Sequence, residues 1–536
     1  MKMTIRLRTL AASLMLAAAS AASAASAASA ASAASAAQTP PAPVHLPPGI
    51  AWQQGDVNAA FALAKASNKP LLLFWGAVWC PPCNQVKATI FSQQAFKDRS
   101  SFFVPVYLDG DSESAQKLGE RFKVRGYPTM ILFQPDGTEI TRLPGEVDPA
   151  RYMQALSLGM NATHPVRQTL ASALKNGARL KPDEWRMLAD YSWDTDGDLP
   201  VPAERIAETL QTLASHARAD HAPAEALRLE LKAVATAAVG EPKQTGTLDK
   251  TAALAAVGEV LKDPKLSRSD FDVLVASPAE ITAYLSAKDT PARNRLVKQW
   301  DDALTVLAAD NSLSATDRLS ALDGRVSLAR LDAPKGAPLA SPLLDTVRQQ
   351  VAAADKATTN VYERQSVISA GADTLTDAGL LDESDALLKA ELKRSPAPYY
   401  FMSGLASNAK ARGDKATALS WYQQAYDASN GPATRLRWGA SYFSGLVELA
   451  PDDAPRIQGL ATSLLTQVGQ TPNAFYGTNR RALTKVVTRL AQWNKGGAHD
   501  STVQTVAKQL EGICSKLPAG DPQVAACESL LQPVKA

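Results

Sequence analysis

The sequence predicts an α/β domain followed by a large all-α region, and three observations carry that reading. Between residues 51 and 160, short apolar runs of strand length alternate with stretches whose apolar positions recur at helical spacing. Inside that span, Trp79-Cys80-Pro81-Pro82-Cys83 sets two thiols two residues apart, after an apolar run and before a helical segment. From about His164 to Ala536 the pattern is helical and strand-like alternation is nearly absent.

Residues 1–37 contain Lys2, Arg6 and Arg8, no acid, an apolar centre at Leu14-Met15-Leu16 and then repeated Ala-Ala-Ser. This is the pattern of a secretory signal peptide, so a periplasmic or otherwise exported protein is expected. Serine at every third position makes a poor membrane span, and no later apolar stretch reaches bilayer length, so no span is expected in the mature chain. Residues 38–50, with Pro40, Pro41, Pro43, Pro47 and Pro48, read as an extended linker. The 536-residue chain has a formal charge of +3, and setting aside Lys2, Arg6 and Arg8 leaves 53 basic against 53 acidic residues. Neutrality without a basic block argues against nucleic acid or an anionic membrane as partner.

Within 51–160, Asp56 can cap a helix carrying Ala60, Phe61 and Ala64 that ends near Asn68. Pro70 to Trp75 reads as a buried strand, and a helix is expected from the dithiol through Val86 and Ile90 to about Lys97. Phe102 to Leu108 is a second strand, Ser112 to Phe122 a helix, and Thr129 to Phe133 a third strand. Pro135-Asp136-Gly137 turns into a fourth strand, Thr138 to Arg142, and Asp148-Pro149 opens a closing helix through Leu156.

Cys80 would stand at a strand-to-helix junction, where free backbone N–H groups and the helix dipole favour a thiolate. That makes Cys80 the expected nucleophile and Cys83 the resolving thiol. Zinc sites use the same spacing but need two more ligands, and the nearest histidines, His45 and His164, are distant in sequence. No metal and no cofactor beyond a redox-active Cys80–Cys83 disulfide is therefore expected. Pro81 and Pro82 lack N–H groups and cannot donate to the Cys80 sulfur, which stabilises a thiolate less and pushes the couple toward reducing behaviour.

This element order, the Trp-Cys-Pro-Pro-Cys stretch and a proline before the third strand resemble the thioredoxin fold. Trp52, the passage Ala64-Lys65-Ala66 to Lys69-Pro70, and Thr89-Ile90-Phe91-Ser92 are similar to the C-terminal periplasmic domain of the reductase DsbD and its soluble relatives. Val124-Arg125-Gly126-Tyr127-Pro128-Thr129 is similar to the cis-proline loop of protein disulfide isomerase domains. The resemblance implies that Cys80 forms a mixed disulfide with substrate and that Cys83 resolves it. It implies a cis Pro128 facing the dithiol, a Tyr127 backbone that pairs with an extended substrate, and Trp79 flanking the site. Partners would be protein thiol or disulfide substrates and a membrane-bound electron donor. The chain departs from the pattern at two places. The position of a buried carboxylate six residues before the first cysteine holds Phe74, and the position of an acid four residues after the second holds Lys87. Proton transfer from Cys83 must then use water or another group such as Asp109 or Glu120, and Lys87 reads as part of a solvated helix face.

The remainder divides into α-helical regions at 164–332 and 343–536, with joints at Gly240–Thr247 and Ala333–Pro342. Ile206, Leu210, Leu213 and Ala214 form one apolar stripe, and Leu483, Val486, Val487 and Leu490 another. Leu405-Ala406, Gly413-Asp414, Ala418, Tyr422 and Ala425 resemble a tetratricopeptide repeat. Stacked hairpins make concave surfaces, so a client-docking role is expected. Cys514 and Cys527 flank a helix–turn–helix signal and are expected to form a structural disulfide, a second redox pair being the alternative. Taken together, the residues point to an exported thiol–disulfide oxidoreductase, a protein-disulfide reductase with a helical docking region. The competing reading is a non-catalytic scaffold or chaperone, or a copper metallochaperone holding copper(I) on the same two thiols.

Overall fold

A computed structural model describes residues 45–145, 148–175, 179–199, 201–240, 248–334 and 336–535. The expected signal peptide, the first part of the proline-rich linker and residues 241–247 of the first joint lie outside the described residues. Five strands, β1 (Gln53–Gln54), β2 (Leu71–Gly76), β3 (Val104–Asp109), β4 (Thr129–Phe133) and β5 (Glu139–Leu143), form one sheet in the order β1-β3-β2-β4-β5. Strand β3 runs parallel to β1 and β2, whereas β4 is antiparallel to β2 and β5. Every residue of β2 is buried, as an unbroken apolar run requires of a central strand covered on both faces.

Period-two alternation then sorts the side chains into two layers. Leu71, Leu73 and Trp75 join Val106, Leu108, Ile131 and Phe133 on one face. Helices α1 (Val57–Ser67) and α4 (Glu113–Arg121) supply Val57, Ala60, Ala64 and Ala115 to that layer. Leu72 and Phe74 join Tyr107, Met130 and Leu132 on the other face. There they meet α2 (Pro81–Val86), α3 (Gln94–Ser100) and α5 (Pro149–Met160). Asp56 caps α1 by accepting from the N–H groups of Asn58 and Ala59, and Asn68 ends it in the left-handed region at φ 50°.

Two features differ from the sequence expectation. Strand β1 was not foreseen, because two residues paired only with Val106 and Tyr107 leave no periodic signal. The single helix expected to reach Lys97 is instead α2, a π-helical turn at Lys87–Phe91, and then α3. The reason lies in Phe91 and Phe96, which are both fully buried with ring centroids 4.5 Å apart. In one continuous α-helix residues five apart point about 140° away from each other, so the break is what brings both rings into one layer.

From Val166 to Lys535 the described elements are helices, built on three large successive apolar clusters and a smaller one of Ile368, Ala372, Leu388, Phe401 and Leu405 before the last. Neighbours pack as hairpins, among them Pro398–Ala411 with Lys415–Ala428, which turns at Gly413 with φ 79°. A disulfide between Cys514 and Cys527 joins the last two helices within the last of these clusters.

An ionic seam ties the sheet to the first helices of this region. Arg268 pairs with Asp148 at 3.3 Å and Arg151 with Asp190 at 2.6 Å. Arg142 on β5, 1% exposed, pairs with Glu139 at 2.9 Å and with fully buried Asp196 at 3.2 Å, and donates to the Phe122 carbonyl at 2.8 Å. Replacing Arg142 with Met should destabilise the fold by about 3 kcal/mol, the low end for breaking a buried pair, because Arg167 still reaches Asp196 at 3.0 Å. The urea midpoint reads this directly, and an unchanged midpoint would contradict the seam.

Candidate active site

The chain leaves β2 at Gly76, and Cys80 becomes the N-cap of α2 in extended conformation, with Pro81 and Pro82 in the first helical turn. Its sulfur accepts the Cys83 N–H at 3.2 Å. The prolines have removed two donors, and this one N–H remains. Cys80 and Cys83 form a disulfide with Cα atoms 5.3 Å apart. The Tyr127–Pro128 peptide is cis. The Tyr127 ring lies 6.2 Å from the Trp79 ring, and its hydroxyl donates to the Gly110 carbonyl at 2.9 Å while accepting from Gln116 at 3.2 Å. A Cβ at position 110 would sit 2.3 Å from this ring, so glycine is required there. Trp79, Cys80, Cys83 and Tyr127 thus share one apolar cluster, whereas Cys514 and Cys527 belong to another.

The residues at the two departures resolve differently from each other. Phe74 packs edge-on against Phe91 at 5.0 Å, so an aromatic cluster fills the position. Lys87 is not on a solvated face: it is 3% exposed, with Nζ 5.5 Å from the Tyr107 ring centroid. Burial lowers its pKa to about 8 against the opposing charge of Asp109. Burial in turn raises the Asp109 carboxyl, against a backbone hydrogen bond from Asp111 and the pull of Lys87. Glu120 is engaged elsewhere, with Lys123 at 3.3 Å and Arg480 at 3.4 Å. The carboxylate missed by the sequence reading is Asp111. It accepts from Trp79 Nε1 at 2.9 Å and from the Thr434 hydroxyl. Burial and then the neighbouring Asp109 raise its pKa to about 7, opposed by those hydrogen bonds and by Arg437. Nothing in the local sequence signals this, because Thr434 is remote along the chain.

The larger surprise is what covers the dithiol. Cys80 is 2% exposed, Cys83 fully buried and Trp79 5% exposed. The cover is the helical region itself. Gln365 donates to the Trp79 carbonyl at 3.4 Å, Ser366 to the Pro81 carbonyl at 2.7 Å, and Gln85 donates to Asp317 at 2.5 Å. Trp438 meets the Trp79 ring edge-on at 5.1 Å, and the Arg437 guanidinium lies 4.5 Å over the same ring. On α4, the side-chain Oε1 of Gln116 accepts from the N–H groups of Thr478 at 2.8 Å and Asn479 at 3.2 Å. Arg481 donates to the Val124 carbonyl at 3.3 Å. Gln365 and Ser366 are polar residues buried in mid-helix, and these contacts supply the partners that buried polar groups need.

Residues 57–159 match the family described as thioredoxin-like domain. A thioredoxin of Mycobacterium bovis is 32% identical over 101 residues, 19% of this chain and 83% of that protein. The thiol:disulfide interchange protein DsbD of Pseudomonas fluorescens is 33% identical over 105 residues, 18% of each chain. DsbD 1 of Pseudomonas aeruginosa is 30% identical over 113 residues, 20% of this chain and 19% of that protein. The chain spans about a fifth of the length of these DsbD relatives.

The raised pKa of Asp111 has a pH signature. Between its ordinary 3.8 and about 7 the folded state holds a proton that the unfolded chain releases, so this group's stabilising contribution is full below 3.8 and is lost as pH rises through about 7. Asp111→Asn should remove that part of the decline. The difference in urea midpoint between the parent and the variant should then shift against the parent from pH 4.5 to pH 7.5. A difference that does not vary with pH would contradict the assignment.

Proposed function

The chain belongs to the thioredoxin-like family through residues 57–159, and from that premise we propose that it is an exported protein-disulfide reductase acting through Cys80 and Cys83. One observation carries the reading: Cys80 caps α2 with its sulfur on the Cys83 N–H, already in a disulfide with the thiol that would resolve its adduct. In the dithiol state, the Cys80 thiolate attacks a substrate disulfide. A Cys80–substrate disulfide forms and one substrate sulfur leaves as thiolate, taking a proton. Cys83 then loses its proton and attacks the Cys80 sulfur, closing the Cys80–Cys83 disulfide and releasing the second substrate thiolate. Two electrons pass from the dithiol to the substrate, and a dithiol donor at the membrane restores them. Lys87, one turn after Cys83, is buried with its ammonium over the Tyr107 ring.

Trp79, Tyr127 and Pro128 form the face that meets the substrate, and the helical region is the client-docking element. In the closed arrangement helices Val361–Asp377 and Pro432–Leu449 occupy that face, so turnover includes their separation from Trp79 and Pro81. Export rests on the basic, apolar and Ala-Ala-Ser composition of residues 1–37 and on the likeness to DsbD. Among the described residues no helix is long and apolar enough to cross a membrane.

The test is trapping. Cys83→Ser should accumulate covalent adducts with exported proteins that a reductant releases, and Cys80→Ser combined with Cys83→Ser should accumulate none. A folded Cys83→Ser chain that traps nothing would defeat the reading.

A further inference from the structure

Beside the covered dithiol lies a row of cations that form no ion pair among the described residues. On the helix Gly477–Trp493, Arg481, Lys485 and Arg489 follow one another at four-residue spacing and so share one face. The adjacent helix Pro432–Leu449 adds Arg437, whose guanidinium rests on the Trp79 ring at 4.5 Å. Arg481 reaches the Val124 carbonyl at 3.3 Å, next to exposed Arg125 on the loop that leads to Tyr127 and Pro128. The stripe therefore runs from the rim of the dithiol along two packed helices. Among the described residues none of Arg437, Arg481, Lys485 or Arg489 forms an ion pair. Of the nearby acids, Glu120 pairs with Arg480, Glu448 pairs with Lys410, and Asp111 accepts from Trp79 and Thr434 while feeling the charge of Arg437. Burial and the charges of Arg437 and Arg489 lower the Lys485 pKa. Burial, reinforced by Arg480 and Arg437 and opposed by Tyr127 and Glu120, likewise lowers Arg481.

Grouping like charges costs free energy, and in a chain with 53 acidic residues it was avoidable. The cost is recovered when an anion docks. Arg481 to Arg489 spans about 12 Å of helix, the length of about four residues of extended peptide. Next to the stripe is a cavity of about 290 Å³ between the helices, lined by Asp373, Tyr400, Ser403, Asn408, Arg437 and Ser441, among others. Leu388, Phe401 and Trp438 line it as well, so it suits a neutral side chain of the docked segment, while the acidic side chains lie along the stripe and away from Asp373. The stripe is short, the whole chain is close to neutral, and the row ends on the indole beside Cys80. Those three facts favour a protein segment over a nucleic acid or a lipid surface, which long, contiguous basic tracts serve better.

We propose that Arg437, Arg481, Lys485 and Arg489 form the docking site for an acidic, extended segment of the client protein, holding it beside the dithiol. The inference deepens the oxidoreductase reading by naming the client's chemistry, and it is tested without any redox step. The probes are two fluorescent twelve-residue peptides with serine in place of cysteine, one rich in Glu and Asp and the other with Lys at the same positions. Binding to the full chain is read by anisotropy. The acidic peptide should bind about tenfold or more tightly than the basic one, and raising the salt should weaken it. Lys485→Glu with Arg489→Glu should reduce that binding by about tenfold or more, and the milder Lys485→Gln with Arg489→Gln should fall between, with circular dichroism unchanged. Equal affinity for both peptides, or undiminished binding by the folded variants, would overturn the proposal. So would preferential binding of phosphatidylglycerol vesicles or single-stranded DNA over the acidic peptide. A chain that binds the acidic peptide but traps no client would uphold this inference while defeating the reductase reading.

Discussion

The indole of Trp79 is where the two halves of this protein meet. Its ring nitrogen is held by Asp111, its edge by Trp438 and its face by Arg437, while its carbonyl accepts from Gln365. Because Trp79 immediately precedes Cys80, whatever holds the indole also closes the sulfur. The apolar cluster around the dithiol is accordingly a joint one, with Ala397, Tyr399, Ala425 and Trp438 of the helical region among its members. The dithiol is here part of a core, and burial of aromatic area on this scale is worth several kcal/mol.

The electrostatics follow the same division. The seam that joins the sheet to the first helices is ionic and largely buried, through Arg142–Asp196 and Arg151–Asp190. The contact over the dithiol is made of aromatic rings, hydroxyls and side-chain amides, and its charged groups Arg437, Asp111 and Asp317 each meet a neutral partner there. Parting neutral groups that water can satisfy costs less than parting buried charges. The molecule is therefore tied firmly at the sheet edge and less firmly over the sulfurs, the arrangement a cover that opens would need.

Much of the α/β domain was legible because its signals are local. The buried run of β2, the Asp56 cap, the turn before β5 and the dithiol at a strand-to-helix junction each depend on a few consecutive residues. The helical stripes were legible for the same reason, and Leu483, Val486, Val487 and Leu490 are indeed buried. Strand β1 and the π-helical break escaped because one is too short for a period and the other is set by Phe91 and Phe96 sharing a layer. Lys87 was misread as solvated, since its burial comes from Tyr107 and Asp109 on a neighbouring strand. The cover over Cys80 was invisible for a deeper reason: its contacts, such as Ser366 to Pro81 and Thr434 to Asp111, join residues hundreds of positions apart. The cationic row on the helix Gly477–Trp493 had its spacing in plain view, but overall neutrality masked the local imbalance.

The account rests on the helical region closing the dithiol, and the alkylation rate of Cys80 tests that most directly. With the Cys80–Cys83 disulfide reduced by a small phosphine, N-ethylmaleimide should modify Cys80 about a hundredfold more slowly in the folded chain than in urea-unfolded chain, since reaction waits on local opening. Trp438→Ala, which removes the ring against Trp79, should return much of that rate while the fold persists. Modification of folded parent protein as fast as the unfolded chain would contradict the account, because the sulfur would then be open to solvent.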